Sequence, residues 1–156
     1  MYETLEGLVY EFRAAIDQAN AQGEFAFDQF FLRFPCGCCG DASELLAQYL
    51  LEHGIRSTYV CGNRYFDDPE EGTQSHAWLR VDGLIIDITG DQFCDRISYY
   101  NYDQRVYIGP GDAFHDLFYV NKRDIHEFNG IDNYSSTCQY RLSKLYDIIR
   151  KYCKTC

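Results

Sequence analysis

Residues 34–54 read FPCGCCGDASELLAQYLLEHG, with cysteines at 36, 38 and 39 leading into an apolar periodic run. Ala42, Leu45, Leu46, Tyr49 and Leu50 recur at three- and four-residue intervals, the spacing of a helix with one buried stripe. Gly54 is a natural C-terminal cap, and Pro35 disfavours helix at Phe34, so the helix runs from about Asp41 to Gly54 with Cys39 just before it. The cysteines then have three competing readings: metal ligands, half of a disulfide scaffold, or a nucleophile at a helix N-terminus.

Composition narrows the choice. The chain has 156 residues, 46% of them hydrophobic, with 14 tyrosines and 11 phenylalanines. That suits one globular domain over residues 1–156 whose core needs no covalent staples. A formal net charge of −10 speaks against a nucleic-acid partner, because phosphate affinity comes largely from Lys and Arg. No stretch approaches the ~20 apolar residues of a membrane span. The opening MYETLEGLVYEF lacks the basic and long apolar regions of a secretory signal, so a cytoplasmic location is expected, although a domain excised from a longer secreted effector would look the same. Most of the eight cysteines are then expected as free thiols. Cys36-x-Cys38 and Cys153-x-x-Cys156 could in principle meet as four zinc ligands; the second spacing suits zinc but the first is too tight, and no metal is expected.

Working outward, LEGLVYEFRAAI places Leu5, Leu8, Val9, Phe12 and Ile16 on one face of an opening helix, and QYRLSKLYDIIRKY does the same for a closing one. FAFDQFFLRFP is ambiguous between short helix and extended chain. IRSTYVC (55–61) reads as a strand and NRYFDDPEEGTQ as a surface loop. SHAWLRV and LIIDIT, joined by Asp82-Gly83, predict a β-hairpin, and RVYIG (105–109) a further strand. Helices first and antiparallel strands after them make an α+β arrangement with a helix laid on a sheet.

A thiolate at a helix N-terminus is favoured by unpaired backbone N–H groups and the helix dipole, but a nucleophile still needs a histidine to take and deliver a proton and a third group to orient the ring. Of the four histidines, His53 lies near the far end of the helix, roughly 20 Å from Cys39 at ~1.5 Å per residue. His115 and His126, in GDAFHDLF and RDIHEFNG, read as surface residues. His76 opens the first hairpin strand. With a two-residue turn, 81 pairs with 84 and 78 with 87, which makes Asp87 the diagonal same-face neighbour of His76. An acidic residue among Leu84, Ile85, Ile86 and Ile88 needs a partner, because an unpaired buried carboxylate is costly.

Gly37-Cys38-Cys39 with the GDASELLAQYLLEHGIRSTYV that follows, then SHAW-x-x-V, then Asp87-x-Thr89, resembles the transglutaminase-like superfamily of papain-like cysteine enzymes over about residues 34–93. The resemblance implies a papain/transglutaminase-like α+β fold with the nucleophile helix packed on an antiparallel sheet. It also implies a triad in which Cys39 is the nucleophile, His76 the general base and acid, and Asp87 the orienting carboxylate. Cys38 is the rival nucleophile; aligning the Gly54-Ile55 step with the family's helix end selects Cys39. Cys36 and Cys38 are then structural neighbours or a reversible disulfide.

The chain departs from the family in two ways: nothing resembles the calcium apparatus of large animal transglutaminases, and the place of a papain-type oxyanion glutamine is held by Arg33. The oxyanion donors would be the Cys39 N–H and one of Gln29, Gln92 or Trp78. The implied function is thiol-based acyl transfer or hydrolysis on an amide, of protease, peptide hydrolase, deamidase or transglutaminase type. A glutamine side chain or a peptide amide of a protein or peptide would be the substrate, with no cofactor and an open oligomeric state. Bacterial toxin domains are among the family's members. The alternatives are a non-catalytic binding module on the same fold and an arylamine acetyltransferase-like acyltransferase. Aromatic segments at 25–34 and 97–107 would supply either specificity or ordinary packing.

Overall fold

The computed structural model describes residues 4–68 and 70–154. Three helices, α1 (Leu5–Ala21), α2 (Cys39–Glu52) and α3 (Ser136–Arg150), accompany five strands, β1 (Thr58–Tyr65), β2 (Thr73–Val81), β3 (Leu84–Asp87), β4 (Tyr107–Gly109) and β5 (Tyr119–Glu127). The strands form one antiparallel sheet in the order β4-β3-β2-β1-β5. The fold is α+β, and no described helix is long and apolar enough to cross a membrane.

The hairpin register follows from its turn. Asp82 (φ 49°) and Gly83 (φ 81°) both lie in the left-handed region, as a two-residue turn matched to strand twist requires. Val81 then pairs with Leu84 and Leu79 with Ile86, the register expected from the sequence. Side chains alternate across the strands. Leu79, Val81 and Ile86 enter the larger core with Phe12, Leu45, Leu46, Tyr49, Leu142 and Leu145 from the three helices. Trp78 and Ile85 face the other way, into a second cluster with Phe93, Tyr99, Phe114 and Phe118. The sheet is thus covered by helices on one side and by aromatic side chains from irregular segments on the other.

Three expectations need correction. β1 begins at Thr58 rather than 55 and runs on to Tyr65, so the first part of the expected surface loop is strand, paired residue by residue with β2 out to Tyr65 and Thr73. His76 therefore sits inside β2 rather than at its start. The surroundings of His126, RDIHEFNG, which read as irregular and polar in sequence, enter the edge strand β5; the strand's mixed polar sequence YVNKRDIHE suits an edge with much of its surface in water, and its ladder with β1 shifts register between Val60 and Gly62. The third correction, His115, belongs to the site. At Gly62, opposite His76 in the ladder, an added Cβ would lie 2.7 Å from Phe118 Cβ, so the close approach of this aromatic layer requires glycine.

Two arginines fix the segments that carry the hairpin end and the helix start. Buried Arg13 of α1 donates to the carbonyl oxygens of Ile88 (2.6 Å) and Arg105 (3.0 Å) and pairs with Asp91 (2.7 Å) and Asp17 (3.1 Å). It therefore clamps the chain just after Asp87. Arg13→Met removes the side-chain donor to these two carbonyls and the partner of Asp91, and it is expected to cost about 3 kcal/mol by chemical denaturation. An unchanged denaturation midpoint would mean the clamp is idle. On α3, Arg141 bridges Asp28 (2.8 Å) and Asp41 (2.8 Å), while Asp28 Oδ1 accepts the N–H groups of Phe30 and Phe31. This ties the turn before the cysteines to the first turn of α2.

Candidate active site

α2 starts at Cys39 itself, with Cys38 as its N-cap, His53 as its C-cap and Gly54 (φ 80°) just beyond. The two adjacent cysteines have opposite surroundings. Cys38 is buried, and its thiol donates to the carbonyl oxygens of Phe30 (3.3 Å) and Cys36 (3.4 Å). Burial and the nearby Asp41 charge push its pKa up to about 12, which leaves an inert thiol at neutral pH. Cys39 is half-buried and hydrogen-bonded to the His76 ring and to the backbone N–H of Ala77. Burial opposes its ionisation, but the His76 hydrogen bond and charge and the Ala77 N–H outweigh burial and lower its pKa.

His76 Nε2 lies 2.7 Å from Asp87 Oδ2, both groups fully buried. An ionised carboxylate only accepts, so Nε2 carries the proton and donates. Nδ1 is then the nitrogen left for the Cys39 sulfur, and Gln92 Nε2 stands 3.4 Å from it. Burial works against the imidazolium, yet the Asp87 charge and hydrogen bond raise the His76 pKa well above the ordinary imidazole value. Asp87 is held below the usual carboxylate range: burial opposes this, but the charge of His76 and hydrogen bonds from His115 and His76 prevail. Its other oxygen, Oδ1, accepts the Thr89 N–H (2.9 Å) and faces the Thr89 hydroxyl (3.4 Å).

The structure thus brings together Cys39, His76 and Asp87 from α2, β2 and β3. It also adds a residue that the sequence reading put on the surface. His115 is 3% exposed, with Nε2 2.8 Å from Asp87 Oδ2 and Nδ1 2.6 Å from Asp112 Oδ1. The signal was in GDAFHDLF: Phe114, Leu117 and Phe118 around the histidine marked a segment with apolar surface to bury, and Asp112 stood three residues before it. His126 is exposed as expected and stacks on Tyr59 at 4.9 Å.

Among the proposed oxyanion donors, Gln92 is at the site, on the short 3-10 helix Gly90–Phe93, where its amide also donates to the Thr89 carbonyl (3.1 Å). Trp78 Nε1 is enclosed in the aromatic cluster, and Gln29 is exposed on the loop before α2. Of the aromatic segments, Phe25, Phe31, Phe34 and Tyr99 are packing residues, while Phe27, Phe30, Ile97 and Tyr100 reach solvent.

Among the described residues, His76, Asp87 and His115 form the one candidate metal set, their ligand-type atoms within 4.8 Å of one another. The two Nε2 atoms, at 2.7 and 2.8 Å from a single carboxylate oxygen, have the spacing of two N–H donors on one acceptor, and a cation would have to displace both protons. Cys156, one of the four candidate zinc cysteines, lies outside the described residues. No protein-family model, curated protein or solved structure gives a significant match to this chain.

Proposed function

We propose that the chain is a transglutaminase-like cysteine enzyme that performs acyl transfer or hydrolysis on an amide carbonyl. The observation that carries this reading is the unbroken contact series from the Cys39 sulfur through His76 to Asp87, on a thiol at a helix N-terminus whose pKa is lowered while that of its neighbour is raised. A non-catalytic module has no physical need for that contrast.

In this reading the Cys39 thiolate attacks the carbonyl carbon, forming the S–C bond and moving the C=O electron pair onto oxygen. That oxyanion would take the Cys39 backbone N–H and the Gln92 amide as donors. Collapse breaks the C–N bond as the His76 imidazolium gives its Nδ1 proton to the leaving nitrogen, and a thioester remains. Water, deprotonated by His76, then attacks the thioester carbonyl, and breaking of the C–S bond returns the Cys39 thiolate and yields the acid; a second amine in place of water yields a new amide in the same way. Loss of ammonia from a glutamine side chain and cleavage of a peptide bond are both served by this geometry.

Incubation with a library of peptides bearing glutamine side chains and scissile peptide bonds, read by mass spectrometry for loss of ammonia, cleavage or amine incorporation, tests the proposal. Wild type is expected to give one of these products and Cys39→Ala none. Products that persist in Cys39→Ala would overturn it.

A further inference from the structure

We propose that His115 is a positioning residue for the triad, drawing on the Asp87 oxygen that also holds His76 and so setting how tightly the His76 ring keeps its proton. The inference rests on the triad reading above. Its basis is geometric: Asp87 Oδ2 stands 2.7 Å from His76 Nε2 and 2.8 Å from His115 Nε2, so one carboxylate oxygen serves two N–H donors. Charge donated into one hydrogen bond is withdrawn from the other, because both draw on the same oxygen.

The fold holds His115 in this orientation from both sides. Asp112 Oδ1 accepts the backbone N–H of His115 (2.8 Å) and lies 2.6 Å from its Nδ1, so each ring nitrogen has a carboxylate partner. The ring is further boxed by Trp78 at 5.0 Å, Tyr107 of β4 at 5.3 Å and Tyr102 at 6.1 Å between centroids. The titratable groups facing the His76–Asp87–His115 cluster are therefore Cys39 from α2, Tyr107 from β4, and Asp112 and Tyr102 from the adjoining loops. A triad with a single histidine on its carboxylate lets the imidazole take the whole charge; here a second ring shares it, easing release of the Nδ1 proton to a leaving group.

Without His115, more of the Asp87 charge falls on His76, the imidazolium is favoured, and the thiolate–imidazolium pair persists to higher pH. The readout is the rate of Cys39 carboxymethylation by iodoacetate as a function of pH, assigned to Cys39 by tandem mass spectrometry, which needs no substrate. His115→Leu is expected to move the alkaline limb of the profile, where His76 loses its proton and with it the attraction for the iodoacetate anion, up by about one pH unit, seen as about tenfold faster reaction at a fixed pH on that limb. His115→Gln, which keeps an N–H for Asp87, should return the limb towards wild type. Asp112→Asn keeps the acceptor for the His115 backbone but removes the charge that anchors its ring, and should give a smaller shift in the same direction.

An alkaline limb that moves down in His115→Leu would show that the ring only buttresses the pocket. That result, or an unmoved limb in both His115→Leu and Asp112→Asn, overturns the proposal while leaving the triad standing. If wild type itself lacks an acid limb below the ordinary thiol range, the triad reading fails and this inference fails with it.

Discussion

Cys39→Ser is expected to abolish amide turnover, and Cys39→Ala to remove alkylation below pH 8, whereas Cys38→Ala keeps most of both. The contrast follows from one residue of sequence offset. The Cys38 thiol is buried against the Phe30 and Cys36 carbonyls with its pKa pushed up to about 12. Cys39, at the first position of α2, meets His76 and the Ala77 N–H, which lower its pKa. A lowered thiol pKa means that the thiolate fraction rises at a lower pH than for a free cysteine, so iodoacetamide should mark Cys39 selectively in mildly acidic to neutral buffer. Serine at 39 keeps the shape, but its hydroxyl pKa is far too high for the same histidine to ionise. Selective labelling at Cys38, or activity that survives at Cys39→Ala and dies at Cys38→Ala, would place the nucleophile one residue earlier.

The second large effect is expected at Asp87. Asp87→Asn keeps the size of the side chain and an acceptor for the Thr89 N–H, yet it should slow turnover about 10³- to 10⁴-fold, the scale seen when an orienting carboxylate becomes an amide. The cause is the tautomer. Asp87 Oδ2 now accepts from His76 Nε2, leaving Nδ1 free to face the sulfur. An asparagine NH₂ in that place meets the His76 and His115 N–H groups donor to donor, and His76 escapes by moving its proton to Nδ1, where it no longer serves as a base for Cys39. The measurement is kcat for any amide substrate found by peptide profiling, with circular dichroism to confirm the fold. Turnover within about tenfold of wild type would remove Asp87 from the mechanism.

Much of this site was legible in the linear chain because its parts are local or nearly so. The helix after Cys39 follows from an apolar period of three and four ending in Gly54, and the His76–Asp87 diagonal follows from a two-residue Asp-Gly turn that leaves the hairpin a single register. A carboxylate within LIIDIT announced its need for a partner through the cost of burial alone. These inferences use only helix period, strand alternation and the energetics of one buried charge.

Other features were decided by tertiary structure. That Cys39 meets the His76 ring while Cys38 turns into the core depends on how α2 lies against β2, fixed in part by Arg141 bridging Asp28 and Asp41 from another helix. Arg13 holds the chain beyond Asp87 from 75 residues away in sequence. β5 carries the polar pattern of an edge strand, which nothing short of its ladder with β1 distinguishes from a loop. His115 sits 28 residues from Asp87, at the start of a 3-10 turn, His115–Leu117, too short to show a period in sequence. A histidine's burial there depends on whether packing from other segments closes over it, and here Trp78, Tyr102 and Tyr107 do so. Local pattern determined which elements form and which side chains share a face; contacts distant in sequence determined which cysteine is activated and that two histidines share one carboxylate.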